Sequence, residues 1–407
     1  MLESLLLALC TSGATLACAA PASGAAYLPD QVIVRYAGDS SPGARRQARR
    51  RAGVTRTLGR VRGAGAQVVE VERDAALAAR QLDDSTAVDY AEPDFIVRAT
   101  SVPNDPRFDE LHGIDNPNDA DLDGPEAWDL AFGAGNFPTS PGVRVAVIDT
   151  GIDADHEDLS GRRVACAGVR NLGFAGGTPD PTIVDGRCED DEDHGTHVSG
   201  TIAATVNNGR GVAGVAPPAQ LAVCKALDAN GSGPVSGIAN CIYWAVRENA
   251  KVISMSLGGT ASSTTLQSAV TRAWDGGDGA VVIAAAGNDG TSAVNYPAAY
   301  AEVISVAATD ARDRRASFSN MNADVEIAAA GVAVLSTRRG GGYVTLSGTS
   351  MAAPHVAGAA AVVAYRFPNL DAAAIRERLT ANADNLGPAG RDPMFGFGRV
   401  NLAAALR

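Results

Sequence analysis

Apolar residues alternate with polar ones over residues 31–36 and 67–72, the period of half-buried strands, and recur at helical spacing over 74–82. With an arginine-rich helical stretch at 44–52, a short strand near 55–61 and extended chain at 88–97, this predicts a β-α-β-β-α-β unit of about 75 residues. Residues 101–117 then carry Pro103, Pro106 and Pro117 among several Asp and Asn, a turn-rich boundary. Beyond it the pattern changes: continuous apolar runs at 143–148, 221–227, 252–256 and 281–286 alternate with helical segments at 194–205, 235–249, 266–274 and 351–365. Strands without polar alternation are buried on both faces, which predicts a mainly parallel, doubly wound α/β sheet. In such sheets ligands bind at the carboxyl ends of the strands.

Composition narrows the function. The chain has 407 residues, 46% of them hydrophobic, and a formal net charge of −12. That length is enough for two to three domains, and the acidic balance argues against nucleic-acid binding as the main activity. The charge is uneven: residues 27–100 hold 12 basic and 10 acidic side chains and are nearly neutral, so the acidity lies beyond them. The arginines of 44–52 therefore read as a solvated helix face. Residues 1–26 contain a short apolar run, 5–10, and small residues at Ala17-Cys18-Ala19, the pattern of a secretory leader, although Glu3 and the lack of Lys or Arg depart from it. A lipid anchor at Cys18 and an apolar N-terminal helix are the competing readings of that stretch. No other run reaches 18 apolar residues without charge, so no membrane span is expected. Of six cysteines, Cys166, Cys188, Cys224 and Cys241 allow two disulfides in three connectivities, the simplest joining them in sequence order.

Three polar motifs sit where buried elements begin or end. Asp149 follows Val145-Ala146-Val147-Ile148 in Asp149-Thr150-Gly151, His194 opens His194-Gly195-Thr196-His197, and Ser350 lies in Gly348-Thr349-Ser350-Met351-Ala352-Ala353-Pro354 before a long apolar helix. A buried carboxylate needs partners, and a hydroxyl and N–H at a helix start lie at the positive end of its dipole. Serine is a weak nucleophile unless a base takes its proton, and that base needs a carboxylate to fix its tautomer. Asp149, His194 and Ser350 supply those three parts in that chain order. His197 and His355 fall inside helices and read as packing residues. Pro354 reads as tolerable in a first helical turn.

This order and its flanking motifs resemble the subtilisin-like serine proteases, the family that serves as the standard example of the Asp-His-Ser order. By that resemblance the fold is subtilisin-like, Asn288 in Ala284-Ala285-Ala286-Gly287-Asn288 supplies an oxyanion-hole amide, and Ser256-Leu257-Gly258-Gly259 pairs with extended substrate. The substrate pocket is expected between Ser256, Leu257, Gly258 and Ala285, Ala286, Gly287, with Asn295 at its base and large apolar side chains as its occupants. Residues 1–26 are then a signal peptide, 27–100 an inhibitory propeptide of ferredoxin-like α+β form, and 101–407 the peptidase domain. The product is a secreted, monomeric, self-processed endopeptidase whose partners are polypeptides and its own propeptide.

Two finer expectations follow. Asp191, within the acidic run 189–193 beside His194, is expected to favour a basic side chain in the substrate, the alternative being a solvated acidic loop. Asp105, Asp158 and Asn208, with the carbonyls of Thr205, Arg210 and Val212, resemble a calcium site of thermitase-type members, six hard oxygens being suited to that ion. A peptide-binding module with an unproductive triad and a serine esterase are the competing functions; the latter lacks its G-x-S-x-G motif.

Overall fold

The computed structural model describes residues 27–95, 102–138, 142–173 and 178–407, so the expected leader and the expected processing point near Thr100 lie outside the described residues. The chain divides into two compact units at Ala99/Thr100. In the first, β1 (Tyr27–Tyr36), α1 (Pro42–Arg51), β2 (Val54–Val61), β3 (Ala66–Val71), α2 (Ala75–Asp83) and β4 (Val88–Phe95) follow the predicted order. The strands form an antiparallel sheet in the order β2-β3-β1-β4. Asp74 caps α2 by accepting the Ala76 and Leu77 N–H groups. Ala78, Ala79 and Leu82 of that helix cover Val32, Val34 and Val69 of the sheet. By contrast α1 buries Ala48 alone, and Arg46, Arg50 and Arg51 face solvent.

The second unit, whose first α-helix is α3 (Gly124–Phe132), is built on eight strands: β5 (Arg144–Asp149), β6 (Arg163–Asn171), β7 (Asp180–Asp185), β8 (Gln220–Lys225), β9 (Val252–Met255), β10 (Val281–Ala285), β11 (Val303–Thr309) and β12 (Val325–Ala330). Their order is β12-β11-β10-β9-β5-β8-β6-β7, parallel throughout except for the edge pair β6/β7. Alternation along β5 shows why its sequence is continuously apolar. Val145 and Val147 join the core beneath α4 (His194–Ala203) and α7 (Thr349–Arg366), while Ala146 and Ile148 join the core beneath α5 (Val235–Arg247) and α6 (Thr264–Trp274). β5 has β8 on one side and β9 on the other, so the chain crosses over at its carboxyl end, where Asp149 lies.

The sequence reading passed over β6, β7, β11 and β12, and the hairpin of β13 (Val334–Thr337) and β14 (Tyr343–Leu346). Polar residues interrupt several of them: Glu326 in β12 is buried, and its charge is met there by Arg376 of α8 (Ala372–Ala381). A last short helix, α9 (Leu402–Ala405), closes the core. Two disulfides form, Cys166–Cys188 and Cys224–Cys241, the sequence-order pairing. Among the described residues no helix is long and apolar enough to cross a membrane, and α7 is instead covered by the sheet and its neighbours.

Candidate active site

Asp149 ends β5 with none of its surface exposed, and its Oδ1 accepts from His194 Nδ1 at 2.7 Å and from the Thr150 N–H at 2.7 Å. His194 is the first residue of α4, and its backbone N–H donates to Glu192 Oε2 at 2.7 Å. Burial alone would depress the imidazole; Asp149 foremost, then Glu192 and Asp190, outweigh it and raise His194 above its ordinary value. The other four histidines are committed to backbone groups: His112 to the Val332 carbonyl, His156 to that of Gly342, His197 to that of Val334 and His355 to that of Met351. Burial pushes both His197 and His355 down to about 4, as packing residues that stay neutral.

Ser350 is the second residue of α7, where the N–H has no intrahelical acceptor. Pro354 is not in the first turn but deeper in the helix, and the hydrogen bond it cannot donate is the one that Ser350 C=O would have accepted. That carbonyl accepts instead from the Ser256 hydroxyl at 2.8 Å, while the Ser350 hydroxyl donates back to the Ser256 carbonyl at 3.2 Å. The proline thus frees a backbone oxygen that ties the start of α7 to the strand end after β9. Asn288 follows β10, and its Oδ1 accepts from both the Thr349 N–H (2.8 Å) and the Thr349 hydroxyl (2.9 Å). With its oxygen held on Thr349, the amide nitrogen is left to donate elsewhere.

His194, Ser350, Glu192 and Ser256–Thr260 line one cleft of about 590 Å³. Its apolar wall is Leu227, Val235, Ile238, Leu266 and Tyr296, none of which the sequence reading singled out. Contrary to expectation, Ala285, Ala286, Gly287 and Asn295 do not line this cleft: Ala285 and Ala286 are buried, Gly287 is half-buried, and the Asn295 amide donates to the Ala286 carbonyl at 3.3 Å. A Cβ on Gly287, whose φ is +108°, would meet that amide nitrogen at 1.8 Å, so only glycine lets Asn295 fill the gap between the two segments. Asp191 has a different partner from the one expected: its Oδ1 accepts from Lys225 Nζ at 2.5 Å, and the carboxylate in the cleft wall is that of Glu192.

The segment 205–212 wraps two buried carboxylates. Asp105 accepts from the Asn207 and Asn208 N–H groups, and Asp158 from the Val212 N–H, the Asn208 amide and the Tyr343 hydroxyl. Burial first, and then the charge of Asp158, raise Asp105 above its ordinary value. Thr205 donates its N–H and hydroxyl to the Asp158 carbonyl, and Asn208 presents its oxygen to the Arg210 N–H. Two buried carboxylates held by one short loop suit a hard divalent cation by charge; the groups that face them here are N–H and O–H donors, so these would have to give way and Asn208 turn its amide for an ion to be bound. Asn104, beside Asp105 in the Pro103–Pro106 motif, bonds Asn207 and Gly209 in the same network, and Tyr343, which the sequence did not point to, joins it through Asp158.

Comparison with known proteins agrees with this geometry. Residues 140–398 match the Subtilase family of peptidases, and residues 14–94 match the fervidolysin N-terminal prodomain. The chain is 40% identical over 322 residues to a thermophilic serine proteinase of Bacillus sp., covering 79% of this chain and 73% of that one. It is 40% identical to thermitase of Thermoactinomyces vulgaris over 75% of this chain and 99% of the relative. A solved protease structure from Pseudoalteromonas arctica superposes with a TM-score of 0.64 at 35% identity, over 75% of this chain and 99% of that one. The protein is a member of the subtilase family, a serine endopeptidase with an N-terminal prodomain.

Proposed function

We propose that Asp149, His194 and Ser350 are the catalytic residues of a secreted, self-processing endopeptidase. The observation that carries this is the 2.7 Å bond between a fully buried Asp149 and His194 in the cleft that also holds Ser350. The Ser350 hydroxyl attacks the peptide carbonyl as its proton passes to His194 Nε2, and Asp149 holds the opposite ring nitrogen and stabilises the imidazolium. In the free protein that hydroxyl rests on the Ser256 carbonyl, and bonds of this kind tighten toward the base only once substrate is bound. The oxyanion accepts from Asn288 Nδ2 and the Ser350 N–H, His194 returns the proton to the leaving amine, and water then releases the acyl group. Substrate adds as a strand along Ser256, Leu257 and Gly258, and the apolar wall favours apolar side chains over a broad range of sequences. The prodomain acts as an intramolecular inhibitor until it is cut near Thr100, and export is general in the family.

A biotinylated fluorophosphonate incubated with the calcium-containing preparation tests this. Label mapping to the Ser350 peptide, together with a mature N-terminus near Ser101, is expected. A folded protein that takes no label and keeps its first 100 residues has the binding-module function instead.

We also propose that Asp105, Asp158, Asn208 and the carbonyls of Thr205, Arg210 and Val212 hold a structural calcium ion. The ion would neutralise the two buried carboxylates and lock the 205–212 loop, taking no part in the chemistry. Because an ion bound only by the folded state stabilises it by mass action, excess chelator is expected to lower Tm by about 5 °C or more. Asp158→Asn is expected to abolish that difference; an unchanged wild-type Tm overturns the assignment.

A further inference from the structure

Asp149 and His194 belong to different elements, the end of β5 and the start of α4, so something must fix the distance between them. The side chain that spans this gap is Asp190, only 7% exposed. Its Oδ1 accepts from the Thr150 hydroxyl at 2.8 Å and from the Glu192 and Asp193 N–H groups at 3.0 and 3.3 Å. Its Oδ2 accepts from the Thr196 N–H at 2.9 Å and the Thr196 hydroxyl at 2.5 Å. Thr150 is the residue after Asp149, and its hydroxyl oxygen accepts in turn from the N–H of Gly195, the residue after His194, at 2.8 Å. Thr196 likewise accepts from the Asp153 N–H at 3.0 Å.

The backbones on either side touch directly, so the clamp has little slack. A Cβ on Gly151 would meet the N and Cα of Asp190 at 2.8 Å, and one on Gly195 would meet the Gly151 carbonyl oxygen at 2.2 Å. The outer side of the loop is pinned as well, by the Ile152 N–H on the Cys188 carbonyl and by the Cys166–Cys188 disulfide.

We propose that Asp190 is a positioning residue for catalysis, whose ionised carboxylate holds the segment after Asp149 and the segment after His194 in register. The inference rests on the assignment of those two residues as the catalytic pair. Five donors converge on two oxygens, a demand that only a carboxylate meets. An asparagine at this place would turn an N–H against other N–H groups. Burial would raise the acid, yet donation from Thr196, Glu192 and Thr150 outweighs it and holds Asp190 below its ordinary value. A 1 Å displacement in such a pair can cost about a hundredfold in rate.

The test compares Asp190→Asn, Thr196→Val and Thr196→Ser with wild type as mature enzymes, counting sites by fluorophosphonate labelling and measuring kcat, KM, pH profile and Tm. Asp190→Asn is expected to lose at least about tenfold in kcat per labelled site with KM within twofold. Its acid limb is expected to move to lower pH, because one anion facing the imidazolium is gone. The other groups facing His194 stay: Asp149 from β5, Glu192 and Asp193 from its own loop, His197 from α4, and Arg338 and Arg339, which reach Asp193 from the β13–β14 turn. Thr196→Val should share the loss in kcat and Thr196→Ser should restore it. A kcat within twofold of wild type in both Asp190→Asn and Thr196→Val, or a drop in Tm with an unmoved acid limb, overturns the proposal. Should Asp190→Asn fail to mature, the two Thr196 variants decide. A wild type that hydrolyses no peptide overturns the peptidase assignment itself, a result separate from an unimpaired Asp190→Asn.

Discussion

Ser350→Ala is expected to lower turnover by about 10⁶-fold and to leave the precursor at full length, the rate loss being the size found when the serine of subtilisin's own triad is removed. The effect is expected to be this large because in the proposed mechanism the three groups act as a unit: without the hydroxyl, His194 has no proton to take and Asp149 no imidazolium to stabilise. Removing one side-chain oxygen leaves the fold intact, since the Ser350 hydroxyl bonds only to the Ser256 carbonyl while the bond that fixes the start of α7 runs to the Ser350 carbonyl. Initial rates on a chromogenic peptide, with electrophoresis of the precursor, measure both consequences. Residual activity of a tenth or more of wild type would remove Ser350 from the mechanism. A mutant precursor that is cut only when wild-type enzyme is added would show that processing needs the same serine.

For Asn288→Ala the expected loss is about 10²–10³-fold in kcat with KM nearly unchanged, again the scale known for the corresponding donor in subtilisin. In the proposed mechanism the amide nitrogen donates to an oxygen that carries charge only in the transition state, so its absence weakens that state and leaves ground-state binding alone. The structure adds a reason to expect such a donor to be effective. Both hydrogen-bonding positions of its oxygen are taken by Thr349, so the nitrogen is aimed before substrate arrives and needs no reorganisation during the reaction. Thr349→Val keeps the backbone half of that anchor and removes the hydroxyl half, and should give a smaller loss in kcat. A rise in KM with unchanged kcat for Asn288→Ala would place this amide in substrate binding instead.

The extent to which the site was legible differs from residue to residue. Asp149, His194, Ser350 and Asn288 could be proposed from sequence because each sits beside an apolar run, in a short motif whose chemistry is local. Asp190 was not, since in the sequence it is one acid among five consecutive ones, from Glu189 to Asp193. Only the fold separates them: Asp190 meets two threonines, Asp191 meets Lys225, Glu192 turns to the cleft and to the His194 N–H, and Asp193 meets two arginines. The same holds for Pro354, whose role depends on the Ser256 hydroxyl meeting the Ser350 carbonyl that the proline leaves free, 94 positions away in the chain.

What the sequence determined by itself was the class of sheet, the small antiparallel unit before it and the places where polar groups must end buried strands. Those follow from hydrophobic period and from the cost of burying an unpaired carboxylate, which neighbours in the chain are enough to express. The tertiary structure alone decided which carboxylate pairs with which donor, which apolar side chains wall the cleft, and how Thr150 and Gly195 come within hydrogen-bonding distance. Several of these partners come from segments far apart in the chain, Thr150 lying 40 positions from Asp190 and 45 from Gly195, and their energies depend on distances that no local pattern encodes.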